Sequence, residues 1–284
     1  MPPSKVPPTI RQRRLGAELR RLREQAGLSA TRAGELHGTT QARISGIESG
    51  GYPVSAERVR ALARLYSCTD QALIDALASM TGGRTRGWWE EYREILPAGA
   101  LDLAELEHHT TLMRIASVIH VPGLLQTPEH ARAVISDVVP SLTPPDVEHR
   151  VSFRIKRQTI LYRDEPVPLT AVIHEAALRM GFGGAAVARA QLTHLIEMSE
   201  RENITVLVIR FGAGTFPSSG QSVVHCHGPV PELDTVQLDT DHGSEFLDAH
   251  AQLMKYRTVV SRMEGCALAP ADSRDLMHSI VREI

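Results

Sequence analysis

The sequence predicts an α+β chain, with a small all-helical amino-terminal domain followed by a larger domain of mixed helices and strands. Three observations carry this. Residues 28–48, LSATRAGELHGTTQARISGIE, read as two short helices around one tight turn. Beyond residue 100, helical periodicity alternates with short runs of apolar and β-branched residues. The charge is also divided: residues 1–90 hold 14 Lys/Arg against 8 Asp/Glu, and residues 91–284 hold 17 against 25.

The first helical pair is the most informative stretch. Gly38 supplies a turn that needs positive φ, which glycine adopts without a Cβ penalty. Ser29 suits the N-cap of the helix before it, and Ala33 and Gly34 leave room for a second helix to cross closely. Thr40 suits the N-cap of the next helix, whose apolar residues Ile44 and Ile47 lie three apart on one face. At about 100° per residue the opposite face carries Ala42, Ser45, Gly46 and Ser49, flanked by Gln41 and Arg43. These residues are small, and none brings a carboxylate that would repel phosphate. Gln and Arg form paired hydrogen bonds with adenine and guanine edges. Thr40 and the free N–H groups of the first turn suit a phosphate. This is the pattern of a helix-turn-helix, which presents its second helix to the DNA major groove.

The run Arg43-Ile44-Ser45-Gly46-Ile47-Glu48-Ser49-Gly50 resembles the signature of the lambda-repressor-like, xenobiotic-response-element (XRE) family of bacterial regulators. That resemblance implies five helices, at about 10–26, 29–36, 40–48, 55–67 and 70–80. Gly46 stands where the family usually has arginine, which removes a backbone or base contact. Ala30 stands where glutamine is common, which removes a phosphate anchor.

The basic excess of residues 1–90 coincides with this pair of helices, as phosphate binding requires. The acidic remainder is expected to face away from DNA. The leader MPPSKVPPTIRQRR is proline-rich and then basic. Residues 1–9 are expected to be disordered, with Arg11, Arg13 and Arg14 touching phosphates from the first helix. The three cysteines, Cys68, Cys226 and Cys266, lack metal or redox spacing and point to reduced thiols. No apolar run reaches the length of a signal peptide or of a membrane span of about 18 residues, so a cytoplasmic protein, nucleoid-associated when bound to DNA, is expected.

Residues 10–80 are therefore assigned to the DNA-binding domain, the glycine-rich 81–87 to a linker and 88–284 to the second domain. Trp88-Trp89 opens that second pattern and suggests a packed joint, or ordinary core aromatics. Helices are expected at 100–110, from Pro128 (PEHARAVISDVV), from Pro144 through VEHRVSFRIKRQTILY, at EAALRM and at AVARAQLTHLIEMSER. The last forty residues also read as helical, broken near Ala269-Pro270. Strands are expected at 111–121, 168–173, ITVLVIRF, QSVVHCH and TVQLD. Such mixing fits an α+β layer.

Leu124-Leu125-Gln126-Thr127, Arg154, Arg157 and Gln158 within RIKRQTIL, Glu175 and Leu178 within HEAALRM, and Gln191-Leu192 together resemble a second family. It is a domain of unknown function that follows a helix-turn-helix in antitoxin-like, WhiJ-type regulators of sporulating bacteria. His130 replaces the usual tyrosine of its "TPEYA" motif. The resemblance implies recognition of a very small partner protein encoded nearby. Trp88, Gln126, Arg154, Arg157 and Glu175 are the candidate partner or ligand residues. Arg154 and Arg157, three apart on a helix, are expected to form either a salt-bridge network or an anion site near Glu175.

Catalysis finds no support in the motifs. There is no G-x-S-x-G elbow and no G-x-x-x-x-G-K phosphate loop, and the paired acids Asp239 and Asp241 suit a solvated turn. No catalytic residues, metal or cofactor are assigned. His225 and His227 would share one strand face with Cys226 on the other, and His242 could join them, but the sequence does not establish convergence. The sequence thus points to a DNA-binding transcriptional regulator contacting a palindromic operator as a homodimer. Its candidate DNA-binding residues are Ser29, Arg32, Thr39, Thr40, Gln41, Ala42, Arg43, Ser45, Gly46 and Ser49. An antitoxin of a toxin–antitoxin-like pair and a small-molecule-responsive repressor are the alternatives.

Overall fold

A computed structural model of the chain describes residues 7–82, 87–218, 220–240 and 242–284. It divides into two compact units. The first comprises the described residues up to Glu90 together with Gly228–Leu233, and the second the described residues of Glu91–His227 and Asp234–Ile284.

Five helices build the first unit: α1 (Ile10–Gln25), α2 (Ala30–Leu36), α3 (Gln41–Glu48), α4 (Ala56–Leu65) and α5 (Gln71–Ser79). All five begin at a side-chain cap, supplied by Thr9, Ser29, Thr40, Ser55 and Asp70. Thr9 forms a full capping box with Gln12, so it belongs to α1 and not to a loose leader. The leader assigned to residues 1–9 otherwise lies mostly outside the described residues, as does most of the linker assigned to 81–87. Leu15, Leu19 and Leu22 form the buried stripe of α1, and they pack with Ile44, Ile47, Val59, Leu62, Leu73 and Leu77 into one core. Leu233 joins that core. Trp88–Tyr92 forms a short 3-10 turn in which Trp89 is buried. Trp88 and Trp89 both fall within this first unit, so the unit boundary lies after them and not at 88.

The second unit is a six-stranded sheet in the order β3-β2-β1-β4-β5-β6. Its strands are β1 (Leu112–Ser117), β2 (Leu169–His174), β3 (Ile204–Ile209), β4 (Val223–His227), β5 (Thr235–Thr240) and β6 (Gly243–Leu247). β1, β2 and β3 run parallel, and β4, β5 and β6 extend the sheet antiparallel. The helices are α6 (Ala98–His109), α7 (Pro128–Ser136), α8 (Pro144–Arg157), α9 (Glu175–Arg179), α10 (Ala185–Met198), α11 (His250–Cys266) and α12 (Pro270–Glu283). Alternation along the strands divides the two faces. Leu169, Ala171 and Ile173 of β2 pack with Leu192 and Leu195 of α10 and Met277 and Ile280 of α12. Val172, between them in sequence, packs with Met263 of α11 on the opposite face. Such two-sided cover explains why the β2 and β3 stretches read as continuous apolar runs.

The differences from the sequence-based elements are local. The run 111–121 is strand only to Ser117, and Val121 enters the core without joining the ladder. The helix from Pro144 ends at Arg157, and Gln158–Leu161 tightens into a 3-10 turn. Asp239 lies in β5 opposite Ser244 and not in a turn, while Asp241 is outside the described residues. β6 was not expected from the sequence, because GSEFL is a short, mostly polar edge strand with little periodicity.

Candidate nucleic-acid interface

The turn between α2 and α3 forms as its residues dictate. Gly38 adopts φ +67°. Ser29 Oγ accepts from the Arg32 N–H at 3.0 Å, and Thr40 Oγ1 accepts from the Arg43 N–H at 3.2 Å. Two glycines allow the close crossings. A Cβ on Gly34 would lie 2.9 Å from the Thr39 carbonyl oxygen, and one on Gly16 would lie 2.4 Å from that of Glu48. α3 is therefore held by backbone-to-backbone contact from α2 on one side and α1 on the other.

α3 divides cleanly into two faces. Ile44 and Ile47 are buried, whereas Thr40, Gln41, Ala42 and Ser49 are exposed and Thr39, Arg43, Ser45 and Gly46 half-exposed. Gln41 donates to Ser45 Oγ at 2.9 Å, which aligns its amide along the outward face. Ser29 is exposed at the start of α2. Arg32 is exposed too, but pairs with Glu35 at 2.9 Å, so a phosphate would have to compete with a carboxylate for it.

Tyr52 is the interface residue that sequence reasoning missed. A Cβ on Gly46 would lie 2.1 Å from Tyr52 Cδ2, so the tyrosine ring occupies the space an ordinary side chain would fill. The Tyr52 N–H donates to the Gly46 carbonyl at 2.9 Å. The Arg43 guanidinium lies 5.1 Å from the Tyr52 ring centroid and donates to the Pro53 carbonyl at 3.3 Å. Gly46 is thus more than a lost arginine contact: it admits the ring on which Arg43 rests. An aromatic residue six positions beyond a glycine was the only available signal.

Glu48, the one acid of α3, turns inward to a two-pronged ion pair with Arg23. That keeps its charge away from the outward face. Among the leader arginines, Arg14 does not fit a phosphate contact. It is buried, donates to the Glu232 carbonyl and faces Glu18 at 3.6 Å. Its place beside the Leu15 stripe turns it into the unit. Arg11 and Arg13 remain near the surface, bonded to the Ser79 and Pro8 carbonyls.

In the second unit, three of the candidate residues take part in a polar cluster built along α8. Arg154 donates to Gln126 Oε1 at 2.7 Å. Arg157 pairs with the buried Glu107 through two bonds of 2.7 and 2.6 Å. The Gln158 side chain also donates to the Gln126 carbonyl. Burial and the neighbouring Arg157 push the Arg154 guanidinium down to about 10. Burial also works against the charge of Arg157, but Glu107 outweighs it and raises that pKa. Glu175 is not part of this cluster. It pairs with Arg179 at 2.7 Å and accepts from the Phe211 N–H at 2.8 Å, because it opens α9 beyond the end of β2. Trp88 belongs to the first unit.

His225 and His227 share one face of β4, with ring centroids 4.0 Å apart, and Cys226 points into the core behind them. Asp234, just before β5, takes the third position. His242 instead sits exposed at the β5–β6 turn. Asp234 Oδ2 lies 3.0 Å from His225 Nε2, 3.1 Å from His227 Nδ1 and 2.9 Å from an Arg257 nitrogen. Burial opposes the charged carboxylate, but these donors outweigh it and hold Asp234 well below the ordinary carboxylate range. Burial pushes the His225 imidazole down.

A capped, glycine-spaced helix pair with an exposed small-residue face defines a helix-turn-helix DNA-binding regulator. A helix-turn-helix domain profile matches residues 14–77, and a profile described as a domain of unknown function (DUF5753) matches residues 100–279. The chain therefore belongs to the DUF5753 family, with a helix-turn-helix domain at its amino-terminal side. No curated protein and no solved structure matches it. No helix among the described residues is long and apolar enough to cross a membrane.

Proposed function

We propose that this chain is a cytoplasmic transcriptional regulator that reads a palindromic operator as a homodimer and is nucleoid-associated while bound. The supporting observation is α3, whose outward face carries small side chains with Gln41 and Arg43 near its Thr40-capped end. A helix with such a face can enter a major groove deeply, with Gln41 and Arg43 at base edges. Ser29, Thr39, Thr40 and, once freed from Glu35, Arg32 hold phosphates; Ala42, Ser45, Gly46 and Ser49 line the contact. The carboxy-terminal domain supplies dimer contacts and binds a small protein encoded nearby. In this account the chain binds and does not catalyse.

The test is selection of bound duplexes from a randomised library by the full-length protein, followed by footprinting. Two related half-sites about one helical turn apart, near 10–10.5 bp, support the proposal. Binding that is equal on all sequences and lost as salt rises overturns it.

A further inference from the structure

We propose that His225, His227 and Asp234 form a site for one divalent transition-metal ion of the zinc class, with solvent completing its coordination. The three potential ligand atoms lie within 4.8 Å of one another. Two histidines at alternate positions of a strand aim their rings to the same side, and the chain returns Asp234 to meet them at the start of the neighbouring strand. Imidazole nitrogen and carboxylate oxygen suit zinc, and three protein ligands plus an open position is an established zinc arrangement.

The dimensions fit. With metal–ligand bonds of about 2.0–2.2 Å, ligand atoms in a tetrahedral site stand about 3.3 Å apart. The observed separations from Asp234 Oδ2 are 3.0 and 3.1 Å, a few tenths of an ångström short of that spacing, and all three candidate atoms lie within 4.8 Å of one another. Access lies on the His227 and Arg257 side, where the two side chains are 19% and 36% exposed while His225 is fully buried.

Both histidines and Arg257 converge on one carboxylate oxygen, so three electropositive groups already gather where an ion would sit. Arg257 is the competitor: its guanidinium sits on the oxygen that the ion would take, and being half-exposed it can swing into solvent.

The experiment uses the full-length protein, stripped with chelator and titrated with Co2+ and then Zn2+. The expected result is one Co2+ per chain, with the visible absorption of a four- or five-coordinate N/O site and no thiolate charge-transfer band. Zn2+ should displace it and raise the melting temperature. His227→Gln should weaken binding by more than the about 10–100-fold that changes around a metal's ligands typically cost. Arg257→Gln should tighten it by removing the competing cation. Circular dichroism of each variant separates lost ligation from lost folding. If the folded wild-type chain takes up no stoichiometric metal, if His227→Gln binds as tightly, or if the spectrum reports cysteine ligation, the proposal is overturned and the cluster is an ion-pair clamp.

Discussion

Arg23 and Glu48 are locked in a buried, two-pronged ion pair: Arg23 Nε donates to Glu48 Oε1 at 2.6 Å and its second nitrogen to Oε2 at 2.9 Å. Both side chains are only 8% exposed. A further bond runs from Arg23 to the Leu28 carbonyl, so one guanidinium ties α1 to the end of α3 and to the loop before α2. Removing one partner strands the other charge in the core. Glu48→Ala is expected to destabilise the chain by about 3–5 kcal/mol. The double substitution Arg23→Met/Glu48→Met should recover much of that loss, because it strands no charge. Urea unfolding of the three variants checks this. If the double variant is no better than Glu48→Ala, the pair's bonds and not its stranded charge dominate.

Gly46 and Tyr52 form a second pair whose partners must change together. Gly46→Ala places a methyl group where the Tyr52 ring lies, and overpacking of this kind costs about 1–3 kcal/mol. Replacing Gly46 with the arginine usual in lambda-repressor-like regulators should therefore fail to strengthen DNA binding. Gly46→Ala combined with Tyr52→Ala should be less destabilised than the sum of the single changes. A double-mutant cycle on unfolding free energy measures the coupling, and additivity within about 0.5 kcal/mol would mean that the ring moves aside freely.

Arg43 is held by Tyr52 and the Pro53 carbonyl before any DNA arrives. Arg43→Ala should cost about 1–3 kcal/mol on the selected operator and relax preference at one base position. Tyr52→Leu, which keeps the bulk and removes the π face, should weaken the operator complex less and leave the preferred base unchanged. Competition binding against single-base variants of the operator distinguishes the two. Equal loss on every sequence for Arg43→Ala would assign that side chain to phosphate.

Which parts of the chain were legible follows from how local their causes are. The five helices, the Gly38 turn and the caps at Ser29 and Thr40 depend on residues within one turn of one another, and their spacing showed in the sequence. Arg23–Glu48 spans 25 positions and Arg157–Glu107 spans 50, and no periodicity links such partners. For that reason Glu175 was expected beside Arg154 and Arg157, while the structure gives that place to Glu107 and Gln126. Asp234 was overlooked beside His225 and His227 because it reaches them only through the turn between β4 and β5. β6 escaped notice because an edge strand need not alternate strictly.

His130 supplies a pH dependence with a definite sign. It is 3% exposed, lies edge-on to Phe182 with centroids 5.8 Å apart, and neither ring nitrogen has a hydrogen-bond partner. Burial, with smaller contributions from His120 and Arg154, pushes its pKa from 6.5 down to about 4. The folded chain therefore holds His130 neutral while the unfolded chain protonates it below about pH 6.5. Its contribution to stability is fully present above that pH and is lost as the pH falls from about 6.5 towards 4, reaching on the order of 3 kcal/mol. The chain carries twelve other histidines, so the comparison must be with a variant. His130→Phe keeps the packing and removes the titration. It should match wild type within about 1 kcal/mol at pH 8, since no hydrogen bond is lost. At pH 5 it should be the more stable chain by urea unfolding. Parallel pH profiles for the two proteins would mean that His130 becomes protonated without unfolding the site.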